Sequence, residues 1–107
     1  MKPSESDLSD LVLRIVGSIQ PLRIILFGSA ARGEMGQHSD LDVLVVVPDG
    51  SNCLEAAKAA YRSLRGYPHP KDVLVVQQSD LEQYGNNPYL VIHDALREGK
   101  ELYRAAS

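Results

Sequence analysis

The sequence is poor in the residues that several common classes of protein require. Cys53 is its only cysteine, so an intrachain disulfide and a zinc-finger set of ligands are both excluded. Aromatic residues make up 6% of the chain and tryptophan is missing, which is too few for a platform that stacks single-stranded nucleic acid. The apolar runs, such as residues 44–47, have the length of strands and are far too short to cross a membrane.

Positive charge is also scarce. The formal net charge is -3 at pH 7, so no overall positive field attracts nucleic acid, and we do not expect direct nucleic-acid binding. Residues 1–7 are polar and acidic, unlike a signal peptide. Together with the single cysteine, this favours a reducing compartment and predicts a cytoplasmic protein. A length of 107 residues with 44% hydrophobic residues predicts one domain over residues 1–107.

An amphipathic pattern near the N-terminus predicts the first helix. Ser6 is the expected N-cap, with acidic residues around it at the positive end of the helix dipole. Pro21 ends the helix, because the residue before a proline avoids the helical region. The apolar face follows helical spacing and comprises Leu8, Leu11, Val12, Ile15, Val16 and Ile19.

Three apolar runs predict buried strands, over residues 24–27, 41–47 and 72–76. The first gives way to a short helical turn over residues 30–32, followed by a polar loop over residues 34–39. Between the second and third strands, Ser51 or Asn52 can cap a helix. The side chains that this helix is expected to turn inward are Leu54, Ala57, Tyr61 and Leu64.

The C-terminal part of the chain predicts two more helices and a final strand. Ser79 opens a capping-box pattern, and Asn87-Pro88 has the form of an N-cap followed by proline at the first helical position. The last helix is expected to end at Gly99, before a short strand at residues 102–103. The whole order predicts a mixed α/β (α+β) fold in which helices flank one small sheet.

Asp40 and Asp42 are the first candidate site residues. They lie two apart at the start of a predicted strand, so their side chains point to the same face, with Cα atoms roughly 6.5–7 Å apart. Two carboxylates so placed can hold a pair of divalent ions about 3.5–4 Å apart for phosphoryl-type displacement. Without cations, the two carboxylates would repel each other and one pKa would rise.

Gly28 and Ser29 form the second part of the predicted site. They lie where a buried strand gives way to a helical turn, and glycine lets the backbone come close to a phosphate. The Ser29 hydroxyl and the Arg32 guanidinium can add contacts to phosphate oxygens. Mg²⁺, which prefers oxygen ligands, would bridge the acids and the phosphates.

Asp72 stands at the head of the third predicted strand. If that strand pairs beside residues 41–47, Asp72 joins Asp40 and Asp42 at one end of the sheet. A third carboxylate there could ligate a metal and act as a general base. The periodicity of the sequence does not supply the order of the strands.

These motifs together resemble a known family. Gly28-Ser29, followed after ten residues by Asp40-Leu41-Asp42, resembles the signature of the DNA polymerase β nucleotidyltransferase superfamily. Residues 28–33, in the form Gly-Ser-x-Ala-Arg-Gly, and the following Ser-Asp-x-Asp resemble its minimal nucleotidyltransferase (MNT) branch. Asp72 matches the later acid that the family carries. The resemblance covers most of the chain, and it implies a nucleotidyltransferase palm fold.

The resemblance also implies a reaction and its participants. A nucleoside monophosphate, AMP from ATP in the expected case, would be transferred with loss of pyrophosphate and with two Mg²⁺ ions as cofactor. Asp40 and Asp42 would bind both metals, and Asp72 would complete the site near the acceptor. Gly28, Ser29 and Arg32 would contact the phosphates. The family role implies an antitoxin whose acceptor is a tyrosine of a partner HEPN toxin.

Several alternatives stay open at this point. The chain could neutralise a HEPN ribonuclease by contact alone, or serve as a subunit of a small-molecule adenylyltransferase. Homo-oligomerisation is equally open. Asp40 and Asp42 could form a solvated turn, Arg32 could pair with Glu34 at the surface, and His38 could be a solvated loop residue.

Overall fold

The computed structural model describes residues 3–33, 40–85, 87 and 91–106, apart from the side chain of Val91. The predicted loop over residues 34–39, with Glu34 and His38, and the predicted helix start at Pro88 lie outside these ranges. The helices are α1 Glu5–Ser18, α2 Gly28–Ala31, α3 Cys53–Ser63, α4 Gln78–Tyr84 and α5 Val91–Glu98. The strands are β1 Arg23–Phe27, β2 Leu41–Val47, β3 Lys71–Gln77 and β4 Lys100–Arg104.

The start of α1 is set by a reciprocal cap two residues before the predicted one. The Ser4 hydroxyl accepts a hydrogen bond from the Asp7 backbone N–H at 3.0 Å, and the Asp7 carboxylate accepts one from the Ser4 N–H at 3.0 Å. Ser6 was therefore the wrong N-cap, because only Ser4 has an acid three residues later to close the capping box. The predicted apolar face is confirmed, with Leu11 and Ile15 completely buried.

The four strands of the described chain form a mixed sheet in the order β3-β2-β1-β4. β1 pairs antiparallel with β2 and with β4, whereas β2 and β3 pair in parallel. A parallel pair needs a crossover connection, which α3 provides. The predicted mixed α/β fold is confirmed.

Helices cover both faces of this sheet. One core lies under α1 and α3 and contains Leu41, Val43 and Val45 from β2. The other lies against α4 and α5 and contains Leu44 and Val46. Because β2 is buried on both faces, its sequence is a continuous apolar run interrupted only by Asp42. No helix in the described ranges is both long and apolar enough to span a membrane.

The inward face of α3 differs from the predicted one. Leu54 is 64% exposed and Tyr61 is 40% exposed, so neither is a core residue. Asn52 caps the helix by accepting from the Glu55 N–H at 3.1 Å. Small side chains allow close packing of α3, and the residues that face the core are Cys53, Ala56, Ala60 and Leu64. Leu64 fits both the predicted and the observed face, and this ambiguity explains the error.

The segment ahead of β3 is tied to the N-terminus of α1. The buried His69 ring places its Nε2 2.8 Å from Asp7 Oδ2, and the Tyr67 hydroxyl donates to the Asp7 carbonyl at 2.7 Å. The hydrogen bond with His69 is the main cause of a lowered pKa at Asp7, and the hydrogen bonds with Ser4 lower that pKa further. The His69 and Tyr67 contacts with Asp7 therefore hold the segment before β3 against the start of α1.

The end of the chain follows the predicted order with one shift. α4 begins at Gln78, because its N-cap is Gln77, two residues before the predicted cap Ser79. The Gln77 backbone N donates to Asp80 Oδ2 at 2.9 Å in a capping box. α5 ends before Gly99, and β4 confirms the predicted final strand.

Two leucines test the observed face, because the C-cap residue Leu64 is inward in both assignments whereas Leu54 is inward only in the predicted one. Leu64→Ala should lower the free energy of unfolding by about 2–5 kcal/mol, because Leu64 is fully buried. Leu54→Ala, in the same helix but exposed, should change it by no more than about 0.5 kcal/mol. Urea unfolding followed by circular dichroism measures both. Comparable losses in the two variants would contradict the observed face.

Candidate active site

Strand pairing brings the predicted acids to one end of the sheet. Asp42 lies within β2, where its register partner is Phe27 of β1 on one side and Asp72 of β3 on the other. Asp40 stands two residues earlier, just before the strand. Residues two apart, and residues in register on adjacent strands, share a face of a sheet. The three carboxylates are therefore neighbours, as the predicted placement of Asp72 beside β2 required.

Asp42 carries the electrostatic strain of this group. Its partial burial raises its pKa above the ordinary value of 3.8, and the negative charges of Asp72 and then Asp40 raise it further. The nearby Arg32 guanidinium opposes the shift. The ionised form of Asp42 is therefore destabilised in the folded protein, and a bound cation would relieve this destabilisation.

Gly28 makes room for the Asp42 carboxylate. It has a φ of +72°, in the left-handed region that suits glycine, and a Cβ there would overlap Asp42 Oδ2. α2 begins at this glycine, and its N-cap residue Phe27 contributes no side-chain hydrogen bond. The backbone N–H groups of Gly28 and Ser29 therefore lie beside the acids, and no side chain caps the start of α2.

Arg32 lies just after α2 and faces both α5 and the acids. Its Nη1 is 3.3 Å from Glu98 Oε2, and both side chains are a little over two-fifths exposed. It is also close enough to Asp42 to lower the pKa of that carboxyl. The alternative partner, Glu34, lies outside the described residues. Glu98, which the sequence analysis did not single out, is thus a neighbour of the site.

Tyr61 is a second neighbour that the sequence analysis missed. Its hydroxyl donates to Asp72 Oδ1 at 3.2 Å and accepts from the Val73 backbone N–H at 2.8 Å. The apolar helical spacing of Tyr61 predicts core packing instead. The contact depends on how α3 crosses β3, and no local sequence signal reports that crossing.

The acids suit a hard cation such as Mg²⁺ in their chemistry. All three donors are carboxylates, whose oxygens Mg²⁺ prefers, and the negative charges of Asp72 and Asp40 act on Asp42 more strongly than the positive charge of Arg32. In the part of the chain that the structure describes, no three Asp, Glu, His or Cys side chains converge tightly enough to enclose an ion. Mg²⁺ commonly takes one or two protein carboxylates and completes its shell with water and phosphate. The residues present therefore fit a metal shared with a phosphate ligand.

Residues 9–99 match the model of the family described as nucleotidyltransferase domain. The chain belongs to this nucleotidyltransferase family. The match begins within α1, extends to the end of α5 and includes the glycine–serine junction and all three acids. The predictions of a nucleotidyltransferase and of its fold are confirmed at the level of the family. No curated protein matches the sequence.

Solved structures share the fold at low sequence identity. A chain from a toxin–antitoxin complex with AMP-PNP has a TM-score of 0.65 and 19% identity, covering 92% of this chain and 73% of that one. A chain from a complex of a tri-AMPylated Shewanella oneidensis HEPN toxin with an MNT antitoxin has a TM-score of 0.61 and 17% identity, covering 94% and 72%. A variant of the toxin–antitoxin MntA–HpeT gives 0.65 and 17%, covering 92% and 73%. These similarities establish the fold.

Gly28→Ala tests the close approach of Gly28, the first residue of α2, to the Asp42 carboxylate. The alanine would be strained at φ +72° and would also displace the Asp42 carboxylate, so the free energy of unfolding should fall by about 2–4 kcal/mol. Gly33 has the same φ, but a Cβ there meets no described atom within 4 Å. Gly33→Ala should therefore show only the strain, about 1–2 kcal/mol. Equal losses in urea unfolding would refute the close approach.

Asp42→Asn tests the electrostatic cost at the site. A carboxyl whose folded pKa is raised binds more protons when folded, so its ionisation lowers stability as pH rises. The variant should therefore be more stable than the wild type at neutral pH, and the gain should fade as pH falls toward 3.8. The readout is the urea midpoint against pH, with the exposed Glu82→Gln as control. A destabilised Asp42→Asn at pH 7 would contradict the assigned cost.

Proposed function

We propose that this chain is a metal-dependent nucleotidyltransferase that transfers AMP from ATP to an acceptor hydroxyl. The observation that carries the proposal is the position of Asp42. It lies between Asp72 on the neighbouring strand and the Gly28–Ser29 junction, in a chain that matches the nucleotidyltransferase family over residues 9–99. We further propose that residues 1–107 act as one domain in the cytoplasm.

We assign metal binding to the three acids and proton transfer to one of them. Asp40, Asp42 and Asp72 would hold two Mg²⁺ ions, which when bound stabilise the negative charge that develops on the transferred phosphate. Asp42, between its two neighbours, is the ligand with most to gain from a cation. Asp72, on the edge strand β3, is exposed and can accept the proton of an incoming hydroxyl as general base.

We assign binding of the ATP triphosphate to the junction between β1 and α2. The uncapped N–H groups at the start of α2 can donate to phosphate oxygens, and the Ser29 hydroxyl can add a further hydrogen bond. Arg32 stands between Glu98 and the acids. A triphosphate bound there would neutralise part of the positive charge of Arg32. The ion pair with Glu98 would keep the Arg32 guanidinium at the edge of the site.

For the acceptor we propose a tyrosine of a HEPN toxin, with this chain acting as the antitoxin. The support is similarity in fold to chains of toxin–antitoxin complexes, one of which contains AMP-PNP and another a tri-AMPylated HEPN toxin.

A second candidate function is neutralisation of the toxin by contact alone. The observation that favours it is a groove between α1 and β4 whose lining combines charged and polar side chains with the apolar Leu8, Val12, Leu13 and Leu102. Leu13 is 71% exposed. Exposed apolar surface of this kind is typical of protein interfaces. Contact and catalysis give different results when the acids are removed.

The decisive experiment incubates the protein with α-labelled ATP, Mg²⁺ and its HEPN partner. Label should pass to a tyrosine of the partner, and Asp42→Asn should reduce the rate at least about 100-fold, because the charge of the transferred phosphate loses its stabilisation. Glu82→Gln, an exposed carboxylate outside the site, should leave the rate unchanged.

Two results would reject the proposal. One is the absence of label transfer with any acceptor, small molecules included; the other is an equal rate in Asp42→Asn. If Asp42→Asn lost transfer but still relieved toxicity fully in cells, contact would be the mechanism of the antitoxin.

A further inference from the structure

We infer that Tyr61 is the positioning residue for Asp72, through a hydrogen bond that fixes the orientation of the Asp72 carboxylate. The inference rests on the proposed function and deepens it. It assigns a role to a residue of α3, a helix that contributes no other group to the site.

The direction of the hydrogen bonds follows from the donor and acceptor capacity of a phenol. A tyrosine hydroxyl has one proton to donate. The Val73 N–H can only donate, so at 2.8 Å the Tyr61 oxygen must be its acceptor. The single phenolic proton is then free to point at Asp72 Oδ1, 3.2 Å away. The backbone of β3 thereby fixes the position of the Tyr61 hydroxyl, which donates to the Asp72 carboxylate.

This arrangement solves a problem that the position of Asp72 creates. Asp72 is exposed on β3, an edge strand of the sheet, so packing does not restrict its rotamer. An unrestrained carboxylate loses side-chain entropy each time it binds a ligand. With Oδ1 held by Tyr61, Oδ2 is left for a cation or a proton. Partners of this kind orient metal-binding side chains in many proteins.

The competing explanation is a purely structural tie. Tyr61 could serve only to join α3 to the edge of β3 through Val73, with the contact to Asp72 incidental. A positioning role requires Tyr61 to act through Asp72, whereas a structural tie acts whether or not Asp72 is present. A double-mutant cycle separates the two.

The experiment measures Mn²⁺ affinity, from the line broadening of backbone amide signals of β2 and β3, in four proteins. These are the wild type, Tyr61→Phe, Asp72→Ala and the double variant. Tyr61→Phe should weaken Mn²⁺ binding about 10-fold when Asp72 is present. It should have no further effect when Asp72 is replaced by alanine. Tyr84→Phe is the matched control, since Tyr84 is 39% exposed and Tyr61 40%. It should leave the affinity unchanged.

Three results would overturn the inference: no effect of Tyr61→Phe, an equal effect in both Asp72 backgrounds, or loss of the folded state in Tyr61→Phe. AMP transfer is measured on the same preparations to keep the two proposals apart. Coupling between Tyr61 and Asp72 in Mn²⁺ binding, without transfer to any acceptor, would reject the transferase and leave the inference standing. Full transfer and Mn²⁺ binding in Tyr61→Phe would reject the inference alone.

Discussion

The pairing of β2 with two different neighbours is the constraint on which the site depends. Antiparallel pairing with β1 brings the Gly28 junction to Asp42, and parallel pairing with β3 brings Asp72 to its other side. The parallel pair exists because α3 returns the chain across the sheet, and the same helix delivers Tyr61 to Asp72. Both buried cores hold β2 in this register, so packing along the whole strand fixes the spacing of the acids.

Function and stability oppose each other at Asp42. Burial and the charges of Asp72 and Asp40 make its ionised form costly in the folded protein. Only glycine at position 28 tolerates the approach of that carboxylate. This cost falls near the start of the most buried strand, where Asp42 is the second residue of β2. A bound cation would relieve the same repulsion and so gain affinity from it.

Much of this arrangement could be predicted from local sequence patterns. The apolar run of β2 and the glycine–serine and Asp-x-Asp motifs gave the strand and the candidate residues, because such patterns depend on neighbours in the chain. The face of α3 was wrong because Leu64 fits two helical stripes. The roles of Tyr61 and Glu98 could not be predicted, since they depend on how α3 and α5 cross the sheet. The neighbour of β3 became known only from the pairing.

The central claim is that the carboxylates beside Gly28 form one site for metal and nucleotide. A crystal structure with Mn²⁺ and a non-hydrolysable ATP analogue tests it most directly, because anomalous scattering locates Mn²⁺ without ambiguity. The account predicts Mn²⁺ bound to Asp42 together with Asp40 or Asp72, and the triphosphate against Gly28 and Ser29. Mn²⁺ and nucleotide bound elsewhere, with the three acids ligating nothing, would contradict it.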